Sequence, residues 1–143
     1  MEENRSIPLI LVVENDPRVR QLIVEWIQHA GLGCRFAEAD GSKEAFAQVK
    51  NEPPDAILMD ISMPYVDGIQ ATRVIQRIAP EIPVVMLTIL EESHYKEEAR
   101  RAGAVDYVNK REMTSRLLPV LKRALNRSGR SPETAFLSNP SQP

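Results

Sequence analysis

The chain has 143 residues, 43% of them hydrophobic and 27% charged, which is the make-up of one globular domain with a core and too little for two. Its 18 Lys and Arg against 20 Asp and Glu leave a net charge of -2, which excludes a polyanion binder built on a basic excess. The single cysteine, Cys34, excludes a disulfide framework within the chain, and no apolar run reaches the roughly 18 residues that span a bilayer.

The first predicted strand is 8–13, Pro-Leu-Ile-Leu-Val-Val. Asp16-Pro17 then starts a helix, with Asp as N-cap and Pro at the first helical position, and Val19, Ile23, Trp26 and Ala30 recur at helical spacing until Gly31. A weaker strand is expected over 33–37, with Cys34 in it as a small hydrophobe. Asp40 is the expected cap of a second helix through Ala45, Phe46 and Val49, ending before Pro53-Pro54. A third strand covers 55–59, and Ile69, Thr72, Val74, Ile75 and Ile78 mark a third helix stopped by Pro80. The fourth strand is 83–87, followed by a polar helix over 91–102 that Gly103 ends. The fifth strand is 104–108, and Leu117, Leu118, Leu121, Ala124 and Leu125 mark the last helix. Pro119 removes a backbone donor, so that helix is expected to be irregular until about Leu117. Residues 127–143 hold Ser, Pro, Gly and Asn with few apolar side chains and are expected to form a flexible tail or linker after a domain spanning 1–126.

Short, nearly continuous apolar strands alternating with helices describe a parallel sheet covered on both faces, a doubly wound five-stranded α/β sandwich with five helices. In such sheets function gathers at the C-terminal strand ends. Glu14, Asn15 and Asp16 follow the first strand, Asp60-Ile61-Ser62-Met63-Pro64 the third, Thr88 the fourth, and Asn109, Lys110 and Arg111 the fifth. This set suits phosphoryl transfer to an aspartate: a carboxylate nucleophile, oxygen ligands for Mg²⁺, and an ammonium and a hydroxyl to orient the phosphoryl oxygens. No glycine-rich phosphate loop follows the first strand, which argues against nucleotide hydrolysis. His29 and His94 are expected on helices away from this edge, which argues against a Ser-His-Asp hydrolase.

Val12-Val13-Glu14-Asn15-Asp16-Pro17, Leu58-Met59-Asp60-Ile61-Ser62-Met63-Pro64 with Asp67-Gly68, Thr88, and Tyr107-Val108-Asn109-Lys110 together resemble a response-regulator receiver domain over roughly residues 7–126. The resemblance implies a flavodoxin-like fold of receiver type that acts in signalling and not as an enzyme. It implies Asp60 as phosphoacceptor, supplied by a histidine kinase or phosphotransfer protein. Glu14, Asn15, Asp60 and the Ser62 backbone carbonyl would form the Mg²⁺ site, Thr88 and Lys110 would contact the phosphoryl group, and Tyr107 would be the aromatic switch. It also implies a homodimer through the fourth helix, fifth strand and fifth helix, where Tyr95, Glu97, Arg100, Arg101, Asp106 and Arg123 mix both charge signs. The expected setting is cytoplasmic, with no membrane segment and no direct nucleic-acid contact.

The sequence departs from the family pattern at several places. Asn15 stands where a second carboxylate is usual, which predicts weaker Mg²⁺ binding. Ile89 and Leu90 follow Thr88 where a small and a polar residue are common, and Arg111 stands where many members have proline. These departures leave a second reading open, a pseudo-receiver that serves as a binding scaffold with little or no phosphorylation. A flavin binder or small-molecule enzyme of similar topology would need a Ser/Thr-rich phosphate loop after the first strand, and none is present.

Overall fold

A computed structural model describes residues 7–128. Strands β1 (Leu9–Val13), β2 (Arg35–Ala39), β3 (Ala56–Met59), β4 (Val84–Thr88) and β5 (Asp106–Asn109) alternate with helices α1 (Pro17–His29), α2 (Ser42–Asn51), α3 (Gly68–Ile78), α4 (Ser93–Ala102) and α5 (Met113–Ser128). A single 3-10 turn over Lys110–Glu112 leads into α5. The strands form one parallel sheet in the order β2-β1-β3-β4-β5, the doubly wound architecture expected from the alternation.

The period-two alternation along β1 builds the two cores. Leu11 and Val13 face α2, α3 and α4 with Ala45, Val49, Ile69, Ile75 and Ala99, while Ile10 and Val12 face α1 and α5 with Ile23, Ile27, Leu117, Leu121 and Leu125. Both faces of the central strands are therefore sealed, and every residue of β1, β3 and β4 is buried. The chain leaves β1 toward β2 on one side and reaches β3 on the other. The crevice at this reversal opens at the C-terminal edge, between the ends of β1 and β3.

Some boundaries differ from the sequence expectation. The second strand runs Arg35–Ala39 rather than 33–37, because Gly33 takes a left-handed φ of 75° and pairing with β1 starts only at Leu9 against Arg35. Cys34 thus precedes the strand, half-buried against the α1–α5 core. Gly41, not Asp40, is the N-cap of α2, and the Asp40 N–H is taken by the Glu44 carboxylate at 2.8 Å. The polar fourth helix begins at Ser93, two residues later than expected.

Pro119 lies inside a continuous α5 that starts at Met113, so the expected irregularity before Leu117 is corrected. Pro119 is exposed while Leu117, Val120, Leu121, Ala124 and Leu125 form one buried face. Burial of that face outweighs a lost hydrogen bond on the wet side, where water can serve the freed carbonyl. The helix reaches Ser128, and the rest of the expected tail lies outside the described residues. Among the described residues no helix is long and apolar enough to cross a membrane.

Candidate functional site

The parallel register brings the strand-end residues together. Val13 pairs with Met59, so Glu14 and Asp60, the next residue of each strand, stand side by side across the crevice. Thr88 pairs with Asn109, which carries Lys110 to the same edge. Glu14 and Asp60 are only 4% and 6% exposed. Two buried carboxylates this close need a cation or a proton between them, and Lys110 supplies the cation. Its Nζ donates to Glu14 Oε1 at 2.5 Å and to Asp60 Oδ2 at 3.2 Å.

The remaining oxygens are held by backbone. The Asp16 N–H donates to Glu14 Oε2 at 3.0 Å, and the Ser62 N–H reaches Asp60 Oδ1 at 3.4 Å. Burial pushes the Glu14 pKa up, and nearby Asp60 adds to the shift against the opposing bonds from Lys110 and Asp16. Burial works against the Lys110 ammonium, but the bond to Glu14 and the charges of Asp60 and Glu14 prevail and hold its pKa above the usual lysine value.

Thr88 is fully buried at the end of β4, and its hydroxyl accepts from the Leu90 N–H at 3.4 Å. The Leu90 carbonyl in turn accepts from the Tyr107 hydroxyl at 2.8 Å. Leu90 therefore links the strand-end hydroxyl to the aromatic ring through its own backbone. Burial pushes the Tyr107 pKa up to about 12. The Lys96 ammonium lies 5.8 Å from its ring centroid, within cation–π range.

Asn15 sits differently from its acidic neighbours. Its side chain is exposed, and its Nδ2 donates to the Asp40 carbonyl at 3.3 Å. Asp16 caps α1 by accepting from the Arg18 N–H at 2.9 Å, its expected role. Ile89 is 57% exposed and so does not fill the site. His94 lies in the first turn of α4, at the acceptor edge rather than away from it, because a crossover helix begins where its strand ends. It is exposed, with its ring 4.1 Å from that of Tyr95.

Arg20 escaped the sequence reading. Its Nη1 donates to the Glu14 carbonyl at 2.7 Å and its Nε to Glu38 at 3.0 Å, which fixes the loop that carries Glu14. Its spacing of six from Glu14 has no helical or strand periodicity that would flag it. On the face proposed for association, Arg100 and Arg101 pair with Glu97, and Arg116 and Arg123 pair with Asp106, all within the chain.

Among the described residues no group of three or more His, Cys, Asp or Glu is arranged to hold a metal ion. The two neighbouring carboxylates, Glu14 and Asp60, are of the kind Mg²⁺ takes, one or two carboxylates with the shell completed by water and phosphate oxygens. Chemically, the site offers a buried carboxylate nucleophile, a fixed ammonium beside it and a strand-end hydroxyl.

A family model described as the response regulator receiver domain matches residues 10–122. The chain is 34% identical over 120 residues to the phosphate regulon transcriptional regulatory protein PhoB of Pseudomonas aeruginosa, covering 80% of this chain and 52% of that protein. It is 30% identical over 117 residues to the chemotaxis protein CheY of Bacillus subtilis, covering 82% of this chain and 97% of that protein. It spans about half the length of several curated relatives, PhoB and the Escherichia coli transcriptional regulatory protein BaeR among them. Among solved structures, the response regulator domain of Thermotoga maritima CheB superposes with a TM-score of 0.74 at 29% identity, covering 84% of this chain and 97% of that one.

Proposed function

The chain belongs to the response regulator receiver family of two-component signalling, and from that premise we propose that it accepts a phosphoryl group on Asp60 from a histidine kinase or phosphotransfer protein. The observation that carries this reading is the Lys110 ammonium held against both Glu14 and Asp60 at the switch of the sheet. In the proposed step an Asp60 oxygen attacks the phosphorus of a phosphohistidine. The P–O bond forms as the P–N bond breaks, and the imidazole leaves with a proton from solvent. Lys110 turns from the carboxylate toward the incoming phosphoryl oxygens and stabilises their charge. Mg²⁺, when bound, would be held by Glu14, Asp60 and the Ser62 carbonyl, with at most an amide oxygen from Asn15, and would neutralise phosphoryl charge.

The switch follows from the contacts of Leu90. A phosphoryl group on Asp60 offers an acceptor to the Thr88 hydroxyl. Thr88 then releases the Leu90 N–H, and the displaced Leu90 carbonyl moves the Tyr107 hydroxyl it accepts from. Tyr107 borders α4, so the change reaches the face formed by α4, β5 and α5, where a phosphorylation-favoured homodimer is proposed. Receivers are signalling domains, and the proposed setting is the cytoplasm. Direct nucleic-acid contact by these residues forms no part of the proposal; PhoB and BaeR are named as transcriptional regulatory proteins, and this chain aligns with about half of each.

The scaffold reading without phosphorylation draws no support from the geometry, since both carboxylates and the lysine are in place and Ile89 stands clear. Incubation with acetyl phosphate and Mg²⁺, read by intact mass, tests the proposal. A single phosphoryl adduct is expected on the wild type and none on Asp60→Asn. A base-labile adduct that persists on Asp60→Asn overturns it.

A further inference from the structure

The start of α3 lies against the backbone of the acceptor itself. Gly68, the first residue of the helix, donates its N–H to the Ile61 carbonyl at 2.9 Å. Its own carbonyl accepts from the Thr72 hydroxyl at 2.7 Å, and the Asp67 side chain caps the turn by accepting from the Gln70 N–H at 2.9 Å. A Cβ on Gly68 would stand 2.0 Å from the Asp60 carbonyl oxygen, 2.8 Å from its carbon and 3.0 Å from the Ile61 Cα. All three are backbone atoms, so no rotamer change relieves the overlap. Gly68 is helical and is not among the glycines with positive φ. Glycine is needed here for space and not for conformational freedom.

Thr72 ties this turn to the sheet through Met86 of β4. It is fully buried, and its hydroxyl sits between the Gly68 carbonyl and the Met86 sulfur, 3.7 Å away. The Asp60 carboxylate, by contrast, has only long contacts, 3.4 Å to the Ser62 N–H and 3.2 Å to Lys110. Its location is therefore set by its own backbone, which is tied to the Val13 carbonyl by its N–H at 3.1 Å and rests on Gly68.

We infer that the first turn of α3, with Gly68 laid on the Asp60 peptide and Thr72 clamping it there, is the positioning device for the acceptor carboxylate. The inference rests on the reading of Asp60 as phosphoacceptor. Any side chain at Gly68 must part the helix start and the Asp60 peptide by about 1 Å, and a misplacement of that size at the acceptor costs a transfer reaction on the order of 100-fold.

Phosphoramidate serves as the probe, with labelling followed by intact mass well below the thermal transition of each variant. Gly68→Ala is expected to label about 100-fold more slowly at saturating phosphoramidate, with the half-saturating concentration unchanged and the Asp60 carbonyl carbon resonance displaced. Gly41→Ala is the control, because a Cβ there meets nothing within 4 Å, and it is expected to label normally. Thr72→Val, which keeps the shape and deletes the clamp, is expected to slow labelling several-fold and carries the test if Gly68→Ala does not fold. A folded Gly68→Ala that labels at the wild-type rate overturns the inference. So does wild-type labelling of Thr72→Val when Gly68→Ala fails to fold, or an equal loss in Gly41→Ala. Asp60→Asn separates the two levels. Label that survives on it sinks the acceptor reading, whereas label lost there but normal in both α3 variants sinks only the positioning role.

Discussion

Replacing Lys110 by methionine removes, among the described residues, the only side chain that bonds both Glu14 and Asp60. The two carboxylates stay buried, and breaking a buried ion pair on one side costs about 3–5 kcal/mol when the remaining charge has no escape. Here an escape exists, because one carboxyl can take a proton. Starting from the ordinary glutamate value of 4.5, protonating Glu14 at pH 7 costs about 3.4 kcal/mol, at about 1.36 kcal/mol per pH unit. That figure is the pH-dependent part of the loss for Lys110→Met at pH 7. At pH 5 it falls to about 0.7 kcal/mol.

The direction is fixed by the raised pKa of Glu14. Lys110 lowers the Glu14 pKa through its hydrogen bond and its charge, so its loss raises that pKa further, and the stability held by a protonated Glu14 is complete below about pH 4.5 and declines as pH rises. Urea unfolding in EDTA-containing buffer at pH 5, 6 and 7 reads this directly. The expected loss relative to wild type grows with pH toward about 3 kcal/mol at pH 7. A loss below about 1 kcal/mol at pH 7, or one that does not grow between pH 5 and pH 7, would refute the claim that Lys110 neutralises a buried carboxylate pair.

Three further outcomes follow from the same geometry. Asn15→Asp adds an anion beside the site and is expected to tighten Mg²⁺ binding about tenfold by calorimetric titration; equal affinities would show that residue 15 does not touch the metal. Leu90→Gln introduces, two residues beyond Thr88, a side chain able to hydrogen-bond water, so its Asp60 phosphate is expected to decay several-fold faster than wild type at saturating Mg²⁺, and decay no faster than wild type would contradict this. Tyr107→Phe deletes the bond to the Leu90 carbonyl and is expected to lower stability by about 1 kcal/mol in urea. Partial burial pushes the Tyr107 pKa up to about 12 from 10.0, so its contribution to stability is expected to be lost as pH rises through that window, which spectrophotometric titration at 295 nm would show as one late tyrosine.

Much of this protein was legible before any coordinates. Nearly continuous apolar runs such as Leu9–Val13 and Val84–Thr88 can be satisfied only between two helical layers, which sets the doubly wound class. The residues that follow those runs then fall at one edge by topology, so Glu14, Asp60, Thr88 and Lys110 were nameable as a group from sequence position. Local rules were also enough for Asp16 as the cap of α1 and for Gly103 as the stop of α4.

What only the tertiary structure decided were contacts between segments far apart in the chain. Lys110 meets Glu14 across 96 residues, and no local pattern encodes that pairing; it comes from the register of β1, β3, β4 and β5. Arg20 on the Glu14 carbonyl and Tyr107 on the Leu90 carbonyl involve backbone acceptors, which every residue possesses and no sequence motif marks. Pro119 shows burial overriding local propensity, since one apolar face of α5 keeps the helix whole through a residue that would break it in isolation. Gly68 shows the same division most clearly: the sequence presents a glycine at a helix start, and only packing reveals that the space it leaves is filled by the carbonyl of Asp60.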